Sequence, residues 1–146
     1  MNTKENPSTA AERLERTVEM FASVPAPVRL EALLDYARRL PELPERLSDR
    51  PELFEVVPEC QSPFALIVEG DAAAVHLWFR VPPEAPTVRG FASILHESLD
   101  GASSAEILAV PDDFYRRMGL QEAVSAQRLN GMAAILRRIK AQTATL

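Results

Sequence analysis

Residues 63–81 read PFALIVEGDAAAVHLWFRV. Gly70-Asp71, a pair suited to a turn, splits the segment into two arms of strand-forming residues. In the first arm Phe64 to Val68 is a continuous apolar run. The second arm alternates: Val75, Leu77, Phe79 and Val81 point one way, and His76, Trp78 and Arg80 the other. The pattern predicts an antiparallel hairpin with one face that must pack on something. Upstream, Phe54, Val56 and Val57 are spaced for a further short strand.

The flanks carry a helical period. Thr9 and Glu12 form a capping-box pattern ahead of a stripe of Leu14, Val18 and Phe21. A second helix is expected to start near Pro27, with Leu30, Leu33, Leu34 and Ala37 on one face, and to close at Pro41 and Pro44. Pro41, Pro44, Pro51, Pro58 and Pro63 exclude a long helix between them. Beyond the hairpin, Val88, Phe91, Ala92, Leu95 and Leu99 make a stripe stopped by Asp100-Gly101. Ser103 and Glu106 suggest another capping box, and Pro111 opens a helix that Gly119 ends. Ser125 caps a final helix with Leu129, Met132, Ala133, Leu136 and Ile139 inward. This order, without βαβ alternation, predicts an α+β fold: a small antiparallel sheet of about three strands covered by helices. Residues 1–8 are expected to be a flexible amino-terminal tail and 9–146 a single domain.

Composition excludes several functions. A net charge of −5 argues against a nucleic-acid partner, which needs a concentrated basic footprint. No apolar run approaches the ~18 residues of a membrane span, and the amino terminus has no apolar stretch to serve as a signal peptide. None of the five glycines falls in a phosphate-loop spacing. One cysteine and two histidines, His76 and His96, are too few for a structural zinc or iron–sulfur site within the chain. Neither a resident cofactor nor a metal is expected. Asp112-Asp113 and Glu52/Glu55 read as helix-start or solvated acids, and Arg137, Arg138 and Lys140 as the matching basic end of the last helix.

The single cysteine, Cys60, is the candidate for chemistry. It rules out an intrachain disulfide and fits a reducing cytoplasm, the expected location. A lone cysteine is often only a small buried hydrophobe. Cys60, however, sits between Pro58 and Pro63 with polar neighbours Glu59, Gln61 and Ser62, in a connecting loop where function concentrates. Glu59 disfavours its thiolate, so activation must come from elsewhere, such as a helix amino terminus or an arginine, with Arg89 and Arg128 the candidates. A glycine follows each of these closely in a helical stripe, Gly90 and Gly131. Mid-helix glycine costs about 1 kcal/mol against alanine. Each therefore marks either tight helix packing or the close approach of another backbone, such as the thiol loop.

The segments LPELPERL, VPECQSPFALIVEGD, TVRGFASIL and FYRRMGLQEAVSAQRLNGMAAILRRIKAQ together resemble the SufE family, sulfur acceptors for cysteine desulfurases in iron–sulfur cluster assembly. The resemblance implies a fold related to the iron–sulfur scaffold protein of the Isc system. It also implies that Cys60, in the intact Cys60-Gln61-Ser62 run, carries a persulfide, and that Arg128, ahead of Asn130-Gly131, is functionally important. Glu84 stands where many members have aspartate, a longer arm of the same charge. Glu59, Gln61, Ser62, Arg89 and Asn130 are expected around the partner contact. The implied partners are a pyridoxal-phosphate-dependent cysteine desulfurase (SufS-like) and a SufBCD-like scaffold complex; a homodimer stays open. Ligand counting points the same way, since one thiol suits relay better than cluster assembly. Three alternatives remain: an acceptor feeding another thiolation pathway, a thiol peroxidase or rhodanese-type enzyme, and an interaction module with an inert cysteine.

Overall fold

The structure, a computed structural model, describes residues 8–146. The expected tail therefore lies outside the described residues except for Ser8. Helix α1 (Ala10–Ala22) starts at Thr9, and both halves of the predicted capping box form: Thr9 Oγ1 accepts from the Glu12 amide at 3.1 Å, and Glu12 Oε1 accepts from the Thr9 amide at 2.9 Å. Ala10, Leu14, Val18 and Phe21, three or four residues apart, form its buried stripe.

Helix α2 (Ala26–Ala37) buries less than its leucines suggest. Only Leu33 and Ala37 are buried; Leu34 is half-buried and Leu30 is 37% exposed. The reason lies on α4 (Pro86–Leu99), where a side chain at Gly90 would collide with the Leu33 carbonyl oxygen. The two backbones meet at that point, where Leu33 faces α4 and Leu30 faces outward. Of the two readings of Gly90, tight helix packing is the one the structure bears out.

A short helix α3 (Glu45–Ser48) and a 3-10 turn (Pro51–Leu53) fill the proline-rich stretch and lead into β1 (Glu55–Val56). This strand is shorter than expected, because the turn at Pro51 runs up to Leu53 and Pro58 has no amide to extend the ladder. Phe54 and Val57 are buried, whereas Val56 is 63% exposed. The hairpin of β2 (Ala65–Gly70) and β3 (Val75–Arg80) forms as predicted, in a register running from Ala65 opposite Arg80 to Gly70 opposite Val75. Gly70 takes φ +101°, and the Asp71 carboxylate accepts from the Ala73 and Ala74 amides at 3.0 Å, fixing the turn. The sheet order is β1-β2-β3, antiparallel throughout.

Val75, Leu77 and Phe79 are buried with Phe64, Leu66 and Val68 beneath α4 and α7 (Ala126–Thr143), which supply the missing layer. His76 is exposed and His96 half-buried, and both ring edges turn toward Asp100. Between α4 and α7 lie α5 (Ser104–Leu108), with a complete capping box at Ser103, and α6 (Phe114–Arg117). The helix expected from Pro111 begins only at Phe114, since Asp113 is non-helical, and Gly119 at φ +76° follows it in the left-handed region. β1 pairs only Ala65 and Leu66 of β2, and Gln142 of α7 serves one amide beyond them: its Oε1 accepts from the Val68 amide at 2.8 Å. This ties α7 to the sheet beside the thiol loop.

A Gly90→Ala substitution is expected to lower stability by about 1–3 kcal/mol, because the new methyl meets backbone that cannot rotate away. Urea unfolding measures it; an unchanged or higher midpoint contradicts the α2–α4 contact.

Candidate functional site

The loop from Val57 to Phe64 is pinned at its stem. The Val57 amide donates to the Phe64 carbonyl at 2.8 Å, and the Cys60 amide donates back to the Val57 carbonyl at 3.1 Å. This turn folds Cys60 inward instead of presenting it at the tip. The side chain is 9% exposed and belongs to the main core cluster.

It fits there because of Gly131. A Cβ at that position would lie 3.1 Å from Cys60 Sγ and 3.5 Å from its Cα. The second stripe glycine therefore has a different role from the first: it makes room on α7 for the thiol. A cavity of about 10 Å³ remains beside the sulfur, lined by Gln61, Ser62, Val88, Gln127, Arg128 and Gly131. That is about the space of one water and holds no organic substrate.

Burial pushes the Cys60 thiol up to about 11; the Glu59 carboxylate adds to the rise, and the Arg138 guanidinium opposes it. At neutral pH the tucked sulfur is therefore protonated and a poor nucleophile. Glu59 itself is held by α7: its Oε1 accepts from Arg138 Nη1 at 2.8 Å, and its Oε2 lies 3.9 Å from Arg137 Nη2. Arg138 also donates through Nε to Glu55 Oε2 at 3.1 Å, and Gln142 Nε2 donates to Glu55 Oε1 at 2.9 Å.

The expected site residues divide into two groups. Cys60, Gln61, Ser62 and Arg128 line one cavity, and Glu59 adjoins it. Arg128 is exposed, and its Nη1 donates to the Thr87 hydroxyl at 3.0 Å, linking the first turns of α7 and α4. Asn130 is exposed on the same helix. Arg89 is not brought to the thiol. Its Nε donates to the Ala37 carbonyl at 3.1 Å and its Nη1 to the Val81 carbonyl at 2.8 Å, joining the ends of α2 and β3 to α4. The likeness of Arg89-Gly90 to Arg128-Gly131 in sequence is thus misleading. Glu84 is exposed in the turn before α4 and does not line the thiol cavity.

Arg138 is the residue that sequence reasoning misses. It reads as a basic helix end, yet its guanidinium holds the Glu59 carboxylate at 2.8 Å and opposes the rise at the neighbouring Cys60 thiol. A signal exists: Gly131, Arg138 and Gln142 are seven and four residues apart, on one face of α7. Among the described residues no group of three or more His, Cys, Asp or Glu side chains could hold a metal ion, and no helix is long and apolar enough to cross a membrane.

A three-stranded meander under helices, with a solitary thiol folded onto the last helix, defines a small α+β thiol protein. The chain belongs to the SufE family: residues 15–143 match it, as an Fe-S metabolism associated domain. An uncharacterized SufE-like protein of Mycobacterium tuberculosis is 47% identical over 135 residues, covering 92% of this chain and 93% of that protein. A chloroplastic/mitochondrial SufE-like protein of Arabidopsis thaliana is 27% identical over 126 residues, covering 86% of this chain and 33% of its own length. The solution structure of a hypothetical protein from Thermus thermophilus superposes with a TM-score of 0.79 at 40% identity, covering 91% of this chain and 94% of that one. The family and the fold agree with the expectations drawn from the sequence.

Alkylation of Cys60 in the free protein is expected to climb about tenfold per pH unit through pH 9 and 10 and to level off only near 11. A plateau at the ordinary thiol value of ~8.5 contradicts the tucked pose. Gly131→Ala should speed alkylation at fixed pH, because the methyl crowds Sγ out of its seat. Its stability should change by less than about 1 kcal/mol, since helix propensity offsets the crowding.

Proposed function

We propose that this chain accepts sulfur from a pyridoxal-phosphate-dependent cysteine desulfurase, SufS-like, as a persulfide on Cys60, stimulates that enzyme, and passes the sulfur to a SufBCD-like scaffold. The observation that carries the reading is the sole cysteine on a short connector, sheltered against Gly131 and bordered by the exposed cation Arg128. Family membership, which links the domain to iron–sulfur metabolism, supports it.

The step is thiol–disulfide exchange in form. The 58–63 loop swings off α7, and Cys60 loses its proton to solvent. The thiolate attacks the outer sulfur of the donor cysteine's persulfide. The donor's S–S bond breaks, its inner sulfur leaves as thiolate, and a new S–S bond forms on Cys60. No oxidant is consumed. Outward movement relieves the burial that keeps the thiol protonated, and Arg128, bonded to a hydroxyl and not to a carboxylate, stabilises the anion in the complex. Return of the loop would shelter the persulfide from reduction. A peroxidase reading is disfavoured, because the chain has no resolving cysteine.

Incubation with a desulfurase and L-cysteine should add one sulfur mass to Cys60 by mass spectrometry. Cys60→Ser should abolish acceptance while leaving desulfurase binding largely intact. Labelled sulfur recovered on the serine variant, or no gain on the native chain, refutes the assignment.

A further inference from the structure

Five side chains outside the sulfur chemistry converge on the Cys60 loop. Glu55 lies on β1 before the loop and Glu59 within it, while Arg137, Arg138 and Gln142 lie on α7. Arg138 alone touches both carboxylates, Glu55 at 3.1 Å through Nε and Glu59 at 2.8 Å through Nη1. It is mostly covered, at 23% side-chain exposure, with Glu59 at 31% and Glu55 at 45%. The bond to Glu59 is part-buried and is screened less than a surface pair, whereas the bond to Glu55 is exposed. A guanidinium that bridges two carboxylates also fixes direction as well as charge. Glu59 adjoins Cys60 in the chain, so fixing Glu59 fixes the thiol, and Gln142 braces Glu55 from the other side at 2.9 Å. The remaining wall is Val88 of α4 with Gln127, Arg128 and Gly131 of α7, and Arg128 is bonded to Thr87 and not to the loop. The polar restraint on the loop is therefore concentrated at one residue.

We propose that Arg138 is a positioning residue for sulfur acceptance: by bridging Glu55 and Glu59 it latches the Cys60 loop onto α7, and opening this bridge is what exposes the thiol. The latch is a statement about the loop and rests on the sulfur-acceptor reading only for its purpose. A desulfurase that offers its own charged groups to Glu59 or Arg138 would open it, coupling exposure of the nucleophile to docking. The charged groups around the thiol are Glu59 from the loop, Glu55 from β1, and Arg128, Arg137 and Arg138 from α7.

Two roles for Arg138 predict opposite signs. As a simple electrostatic neighbour it lowers the thiol's proton affinity, so removing it should slow alkylation and raise the titration point. As a latch it holds the sulfur in the buried pose that dominates the upward shift, so removing it should do the reverse. Arg138→Met keeps the aliphatic stem and removes the charge. The test is the rate of Cys60 alkylation by iodoacetamide against pH, on full-length chains whose folding is verified by circular dichroism.

The latch predicts an increase of roughly tenfold or more at pH 7 for Arg138→Met, with titration moving from about 11 toward the ordinary ~8.5. Arg138→Lys, which reaches one carboxylate but not both, should fall between. Glu55→Gln removes the charge from one half of the bridge and leaves Arg138 and Glu59 in place beside the thiol, so it should also accelerate. It decides the matter if Arg138→Met does not fold. Rates equal to or below the native chain's in both Arg138→Met and Glu55→Gln overturn the proposal. Persulfide formation by a desulfurase is scored separately on the native chain. Its absence there sinks the acceptor reading and leaves the latch standing, whereas persulfide on a native chain whose Arg138 and Glu55 variants alkylate no faster sinks the latch alone.

Discussion

The seat of Cys60 Sγ against the bare backbone of Gly131 is the contact on which the rest of the site depends. A side chain on that turn of α7 would hold the loop away, and the thiol would sit in water at its ordinary proton affinity. With glycine there, the sulfur is withdrawn from solvent, and withdrawal disfavours its charged form. Chemical quiescence at rest is thus a consequence of packing. The helix bears the loss of propensity at Gly131 because its other faces are well anchored: Leu129, Met132, Ala134, Ile135, Leu136 and Ile139 are all buried. This face is wider than the expected stripe, since α7 packs on the sheet and on neighbouring helices at once, and Ala133 is only half-buried.

The fold's part is to bring loop and helix together. The β2–β3 hairpin carries the core on one face, and α7 packs on it, fastened by Gln142 to the Val68 amide. Two residues of β1 suffice to start the loop beside β2, and the bond between Val57 and Phe64 closes it.

Local pattern is readable in the sequence wherever one element decides the outcome. Alternation at Val75, Leu77 and Phe79, the caps at Thr9, Ser103 and Ser125, and the stop at Gly119 are properties of a few adjacent residues. What is not readable depends on pairing between distant elements. Gly90 and Gly131 look alike in their stripes; only the partner, the α2 backbone in one case and a thiol in the other, separates them. Arg89 and Arg128 look alike for the same reason, yet one is spent on the Ala37 and Val81 carbonyls. Arg138 lies hidden among basic residues whose simplest explanation is the helix dipole, because its two carboxylates stand about eighty residues earlier in the chain, at separations of 83 and 79. Leu30 deceives in the opposite sense, being apolar and in period but left exposed while Leu33 takes the place against α4.

The measurement that reaches the centre of this account is the position of Cys60 in a structure of the chain bound to a cysteine desulfurase. The account requires Sγ to have left Gly131 and entered the enzyme's site, with the 58–63 loop carried along. Finding the sulfur still seated on α7 in a complex that transfers sulfur would contradict it.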